Sequence, residues 1–231
     1  MRISGVQKLS MVDYPGKLAA TVFTGGCDLR CPFCHNAPLV LRVAETPEFS
    51  REEVLDFLQS RRGLLDGVVL SGGEPLLQPG AAEFLAAVRE LGFAVKLDTN
   101  GFHPGPLAEI LERGLADYVA MDIKNRREKY AETTGMGELD LAPLEESIRL
   151  LQGSGVDFEF RTTVVREFHT ADDIRAIGQW LEGSPRYFLQ KFVDSGDLVG
   201  RGCHGLEDAD MRALAEAARP WFREVALRGV D

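Results

Sequence analysis

Short apolar runs alternate along this chain with stretches in which apolar residues recur every three or four positions. The runs are Leu18–Thr24, Gly67–Leu70, Phe93–Leu97, Asp117–Met121, Val156–Val165 and Arg186–Phe192, and Phe222–Leu227 adds a short one. Runs of this length bounded by turn residues predict buried strands. The intervening stretches predict helices. Ser50-Arg51-Glu52-Glu53 is a capping box leading into Val54, Leu55 and Leu58 on one face. Pro79 opens a second helix, carrying Phe84, Leu85, Val88 and Leu91, which Gly92 closes. Further helices are predicted from Pro106 to Arg113, across Leu144, Ile148 and Leu151, from the Thr170 cap through Ile174, Ile177 and Leu181, and from Leu206 to Ala218.

Six strands alternating with helices imply a parallel sheet with right-handed crossovers. A complete eight-unit barrel takes about 250 residues, and this chain has 231. The expected architecture is therefore α/β, a partial (β/α)6 TIM-type barrel of parallel strands with helices outside. No linker or low-complexity stretch interrupts it, so one domain over residues 1–231 is expected.

Polar motifs fall where the strands end, which is where parallel α/β folds place ligands. They are Gly72-Gly73-Glu74-Pro75, Asp98-Thr99-Asn100-Gly101 and Asp122-Ile123-Lys124. Paired glycines allow close backbone approach to a ligand, although the same motif also serves as a plain strand-to-helix turn. Asp and Asn are ordinary turn residues too. Asp122 and Lys124, however, point to one face of a strand end, because side chains alternate. Arg161 lies within a strand, where an inward charge needs an anionic partner; Glu159, on the same face, is one candidate.

The most informative stretch is Gly25-Gly26-Cys27-Asp28-Leu29-Arg30-Cys31-Pro32-Phe33-Cys34-His35-Asn36. Three thiolates spaced C-x-x-x-C-x-x-C can converge on one centre. Iron–sulfur clusters are held by Cys thiolates, usually four. Three without an obvious fourth suggest a cluster with one iron open to a small molecule. Gly25 and Gly26 let the loop wrap such a cluster, Pro32 stiffens it, and Phe33 puts an apolar ring beside it. The alternatives are a redox thiol set or a zinc-binding interaction module. A four-ligand zinc site needs paired Cys or His at matching spacing, and the chain offers only Cys203, read as a free loop thiol, and four scattered His.

This loop resembles that of the radical S-adenosylmethionine (SAM) enzymes, and Cys34-His35-Asn36 resembles the subset that activates glycyl-radical enzymes. The resemblance covers nearly the whole chain. It implies a 4Fe–4S cluster on Cys27, Cys31 and Cys34, with SAM on the open iron. It also implies SAM contacts from Phe33, Asn36, Gly72, Gly73, Glu74, Asp98, Asp122, Lys124 and Arg161. Lys124 is expected to pair with the SAM carboxylate and Asp98 with its amine, and Asp98 and Asp122 could also hold a monovalent cation. The implied reaction is reductive cleavage of SAM to a 5′-deoxyadenosyl radical that takes hydrogen from a Gly of a partner enzyme. In length the chain most resembles the activating protein of anaerobic ribonucleotide reductase, with a flavodoxin- or ferredoxin-type electron donor. The alternative within the superfamily is a small-molecule enzyme such as 7-carboxy-7-deazaguanine synthase. Relatives place a His after the sixth strand; here Leu189-Gln190-Lys191-Phe192-Val193 has none, and the alternatives are substitution by Gln190 or Lys191, or no such contact. Asn36 to Arg51 lacks the extra Cys that a second cluster needs.

Composition narrows the partners. Lys and Arg number 26 against 36 Asp and Glu, a net charge of −10. That argues against nucleic acid or anionic membranes, both of which select basic surfaces. No run approaches a membrane span, and Met1–Val6 lacks a signal-peptide core. Four Cys, three of them clustered, are no disulfide framework. A cytoplasmic location is expected.

Overall fold

The computed structural model describes residues 1–230. Its strands are β1 (Ile3–Ser10), β2 (Ala19–Thr24), β3 (Gly67–Gly72), β4 (Ala94–Thr99), β5 (Tyr118–Asp122), β6 (Asp157–Val164), β7 (Arg186–Lys191) and β8 (Glu224–Arg228). Its helices are α1 (Ala37–Leu41), α2 (Arg51–Gln59), α3 (Ala81–Glu90), α4 (Pro104–Glu112), α5 (Tyr130–Thr133), α6 (Ala142–Gly153), α7 (Ala171–Trp180) and α8 (Asp208–Ala218). The eight strands form one sheet whose order is the chain order. Pairing is parallel for β2/β3, β3/β4, β6/β7 and β7/β8. A mostly parallel sheet in sequential order is the connectivity expected of a partial TIM-type barrel. Among the described residues no helix is long and apolar enough to cross a membrane.

Contacts group the chain into two compact units. The first holds 1–28, 38–120 and 143–157; the second holds 29–37, 121–142 and the residues from Phe158 onward. In the first, β2 is buried on both faces, as strands in a covered parallel sheet are. Tyr14, Ala19, Val69, Tyr118 and Ala120 form an apolar cluster on one of them. The Ser50 capping box is present: Glu53 N donates to Ser50 Oγ at 3.1 Å, and Ser50 N donates to Glu53 Oε2 at 2.7 Å. α2 then buries Val54 and Leu58. In the second unit, Thr170 and Asp173 make the same reciprocal cap for α7, which buries Ile174 and Ile177.

One strand was not legible. Pro15-Gly16 marks a turn and no strand is predicted before Leu18, yet β1 pairs antiparallel with β2. Only Ile3, Ser4 and Ser10 of β1 are buried, so no apolar run or clean alternation marks it. The turn that Pro15-Gly16 predicts is present, with Gly16 at φ 70° and Lys17 N donating to Tyr14 O at 3.2 Å.

Candidate functional site

In the first unit, the ends of β2, β3 and β4 converge on the chain around Cys27. Glu74 N donates to Gly26 O at 2.7 Å, Gly26 N to Leu39 O at 2.7 Å, and Gln78 Nε2 to Gly25 O at 2.7 Å. Gly72 and Gly73 are demanded by this packing. A Cβ on Gly73 would lie 2.0 Å from Gly26 O, and one on Gly72, at φ 130°, would lie 2.2 Å from Thr24 N. The close approach that the sequence suggested toward a ligand is therefore also an approach to the protein's own backbone. The Glu74 side chain turns inward and is fully buried. It accepts from Leu76 N at 3.0 Å, Thr99 Oγ1 at 2.8 Å and Asn100 N at 2.7 Å. Burial pushes its carboxyl up to about 7 despite these three donors. Glu74 thus ties the ends of β3 and β4 together.

Asp28, Asn100 and His103, none of them among the expected SAM contacts, join this group. Asn100 Nδ2 donates to Asp28 Oδ1 at 2.7 Å and lies 3.9 Å from Cys27 Sγ. His103 Nε2 lies 3.0 Å from Asp28 Oδ2. Burial alone would raise the Asp28 carboxyl, but hydrogen bonds from His103 and Asn100 hold it below the usual range. The hydrogen bond to Asp28 in turn raises His103. The residue after a Cys of the loop is thereby anchored from the end of β4. Asp98 accepts from Ser71 Oγ at 3.1 Å and pairs with the ammonium of buried Lys96.

In the second unit, Cys34 N donates to Cys31 O at 3.0 Å, closing a turn through Pro32 and Phe33. The chain from 29 to 37 is pinned by backbone bonds. Arg30 N donates to Thr134 O at 3.0 Å, Gly200 N to Pro32 O at 2.8 Å and Val199 N to Cys34 O at 3.3 Å. Phe33 is buried against Phe168, with ring centroids 5.9 Å apart. Asn36 is half-buried at the end of this stretch. Cys31 is buried, and burial pushes its thiol up to about 11, with Lys124 pulling it back and Cys34 and Asp122 adding to the rise.

The end of β5 carries the predicted Asp122 and Lys124, and the structure brings Arg161 of β6 to them. Lys124 Nζ lies 2.8 Å from Asp122 Oδ2, and Arg161 Nε pairs with Asp122 Oδ1. Burial would raise the Asp122 carboxyl, yet the two cations hold it far below the ordinary range. Burial lowers and Asp122 raises Lys124, and the carboxylate wins. Both cations stand on this one carboxylate, and Lys124 and Asp122 act on the Cys31 thiol in opposite directions. Glu159, the alternative partner for Arg161, is instead clasped by Arg228 through two bonds of 2.8 Å.

The end of β7 carries Gln190 and Lys191. Lys191 Nζ is engaged by Asp208 at 2.5 Å. His35 supplies an imidazole there: it stacks on Phe192 at 5.2 Å, with Nε2 2.7 Å from Val193 O. Cys203 carries no disulfide and is buried.

The donor chemistry fits an iron–sulfur cluster. Among the described residues, no three His, Cys, Asp or Glu side chains are grouped to hold a single metal ion. Thiolates of a four-iron cluster each take a different iron, so such crowding is not required.

Comparison with known proteins gives this arrangement its class. The sequence model of the radical SAM superfamily matches residues 21–181, and the chain belongs to that superfamily. Over 99% of its length it is 34% identical to a Methanocaldococcus jannaschii protein, provisionally named a glycyl-radical enzyme activating enzyme, covering 96% of that protein. It is also 34% identical, over 71% of its length, to the pyruvate formate-lyase-activating enzyme of Clostridium pasteurianum, covering 68% of that protein. Within the superfamily it is a member of the glycyl-radical-enzyme activating family. The fold is shared with Streptococcus suis SuiB bound to S-adenosylmethionine, at TM-score 0.72 and 17% identity, covering 89% of this chain and 49% of that one. A domain of the pyruvate-formate lyase-activating enzyme of Bacteroides vulgatus superposes at TM-score 0.58 and 14% identity, covering 71% of this chain and 99% of that one. The chain thus spans about half of the SuiB structure and nearly all of its M. jannaschii relative.

Proposed function

We propose that this chain installs a radical on a backbone Gly of a partner glycyl-radical enzyme, using a 4Fe–4S cluster held by Cys27, Cys31 and Cys34, with SAM as co-substrate. The observation that carries the reading is the pairing of Lys124 and Arg161 on Asp122, close enough to Cys31 for Lys124 to act on its thiol. A SAM carboxylate bound near Cys31 would be met by these cations. When bound and reduced, the cluster supplies the electron that splits SAM into methionine and a hydrogen-abstracting 5′-deoxyadenosyl radical.

The chain's own residues bind, orient and exclude water. Cys31 would hold the cluster as a thiolate, and binding of the metal would offset the burial that disfavours its charged form. Lys124 and Arg161 receive an anionic group, and Asp122 keeps both cations aligned. Phe33, buried against Phe168, keeps solvent from the Cys31–Cys34 turn. Backbone groups of Gly72 and Gly73, the Asp98 carboxylate and Asn36 complete the proposed SAM contacts. We place the reaction in the cytoplasm, with a flavodoxin- or ferredoxin-type donor and anaerobic ribonucleotide reductase as partner. Pyruvate formate-lyase, named in relatives, is the competing partner.

The test is electron paramagnetic resonance of the cluster-loaded chain, incubated anaerobically with SAM, a reductant and each partner in turn. A glycyl-radical signal that needs both this chain and the reductase supports the full reading. A signal with pyruvate formate-lyase alone moves the partner assignment. SAM cleavage with no radical on either protein favours a small-molecule substrate.

A further inference from the structure

The family resemblance implies a monovalent cation on Asp98 and Asp122. The side chains around each carboxylate do not fit one. Asp122 already carries an ammonium and a guanidinium, one on each oxygen. At Asp98 the departure is less expected. Lys96 and Asp98 are two residues apart on β4 and so share a face of the sheet. By register that face also carries Val69, opposite Lys96, and Val69 belongs to the apolar cluster with Tyr14, Ala19, Tyr118 and Ala120.

The Lys96 side chain is 2% exposed and that of Asp98 14%. An ammonium so withdrawn from water must be paired. Its Nζ pairs with Asp98 Oδ1, while Oδ2 of Asp98 accepts from Ser71 Oγ at 3.1 Å. A metal cation on the same carboxylate would sit beside this ammonium, and two like charges at that separation in a buried setting repel strongly.

We propose that Lys96 is a resident counter-ion, a positioning residue whose ammonium does at Asp98 what a bound Na⁺ or K⁺ would otherwise do, so that this chain binds SAM without a monovalent cation. The proposal rests on the reading that the chain binds SAM. A buried Lys placed on the strand is a fixed cation. Its occupancy does not depend on salt, and it holds the Asp98 carboxylate in one orientation.

The experiment measures SAM affinity of the anaerobically prepared, cluster-loaded full chain by equilibrium dialysis. NaCl, KCl and tetramethylammonium chloride are compared at equal ionic strength. The same protein without SAM is titrated with Tl⁺, followed by thallium NMR. For the unmodified chain, the SAM Kd is expected to agree within about twofold across the salts, with no Tl⁺ bound. In Lys96→Met, the Kd in tetramethylammonium is expected to rise about tenfold and to recover in Na⁺ or K⁺, with Tl⁺ now bound; Lys96→Arg should behave as the unmodified chain. A Kd for the unmodified chain that tightens about tenfold on adding Na⁺ or K⁺ overturns the proposal. So does a Lys96→Met protein indifferent to the cation. If Lys96→Met does not fold, the salt series and Tl⁺ titration of the unmodified chain decide. If SAM binds in no salt, the functional reading fails, and Tl⁺ alone judges Lys96. Binding only to Lys96→Met then supports the counter-ion role, and binding to the unmodified chain or to neither protein refutes it.

Discussion

The Asn100 side-chain amide donates to the Asp28 carboxylate at 2.7 Å, linking the end of β4 to the residue that follows Cys27. Asn100 Oδ1 also accepts from Phe102 N at 3.0 Å, so its own turn holds it in place. Hydrogen bonds to charged groups contribute about 1.5–3 kcal/mol. Asn100→Ala is expected to lower unfolding free energy by about 2 kcal/mol and to reduce iron per chain after reconstitution. Urea unfolding and iron analysis check the two effects. A variant that unfolds early but loads iron normally would confine Asn100 to a structural role.

Gly73 has no room for a side chain, because its Cβ would meet Gly26 O at 2.0 Å. Neither backbone can yield without disturbing the Cys27 segment. Gly73→Ala is expected to cost about 3 kcal/mol or more. Gly105, in the first turn of α4, has nothing within 4 Å of a built Cβ. Gly105→Ala is therefore expected to be neutral or to stabilise by about 0.5 kcal/mol. Parallel denaturant melts of the two variants test this contrast, and equal losses would contradict it.

Much of this site was legible, for reasons that also explain what was not. Alternation along a strand put Asp122 and Lys124 on one face, and they pair at 2.8 Å. The same alternation holds at Lys96 and Asp98, but Lys96 sits inside the run Phe93–Leu97, where it reads as one polar interruption of a strand. For Arg161 the sequence offered Glu159 as one candidate partner; tertiary packing selects Asp122 instead, while Arg228, sixty-nine positions from Glu159, pairs with that carboxylate. His103 follows its motif in an irregular stretch before α4, with no periodicity to mark it. The helices were clearest where capping boxes and apolar spacing agreed, as at Ser50 and Thr170. β1 was missed because an edge strand with few buried positions leaves no such agreement.

Glu159 is fully buried, and its charge is met by Arg228, which also lies over the Phe188 ring at 4.0 Å. Removing one partner of a buried pair costs about 3–5 kcal/mol, whereas replacing both costs far less. Arg228→Met is expected to destabilise by about 3 kcal/mol. The double variant Arg228→Met/Glu159→Gln is expected to recover most of that loss. A double-mutant cycle in urea checks the coupling, and strictly additive losses would argue against it.

Asp173 caps α7 and pairs with Lys129 at 2.8 Å and Arg126 at 2.9 Å. Burial would raise its carboxyl, but Lys129 and Thr170 hold it below the usual range. A depressed folded-state pKa stabilises the protein above the unfolded value, about 3.9, and that stabilisation is lost as pH falls through the folded one. Asp173→Asn should therefore cost about 1–3 kcal/mol at neutral pH, and the gap should close below about pH 4. Unfolding free energies from pH 7 downward test the sign; a gap that widens in acid would reverse the assignment.

The central claim is that three thiolates hold a cluster with one iron left for SAM. Electron paramagnetic resonance of the anaerobically reconstituted, reduced chain, recorded before and after adding SAM, tests it most directly. The account predicts about four irons per chain, a cluster spectrum that SAM changes, and loss of both in Cys31→Ala. Stoichiometric zinc in place of iron, or a cluster spectrum that SAM leaves untouched, would contradict it.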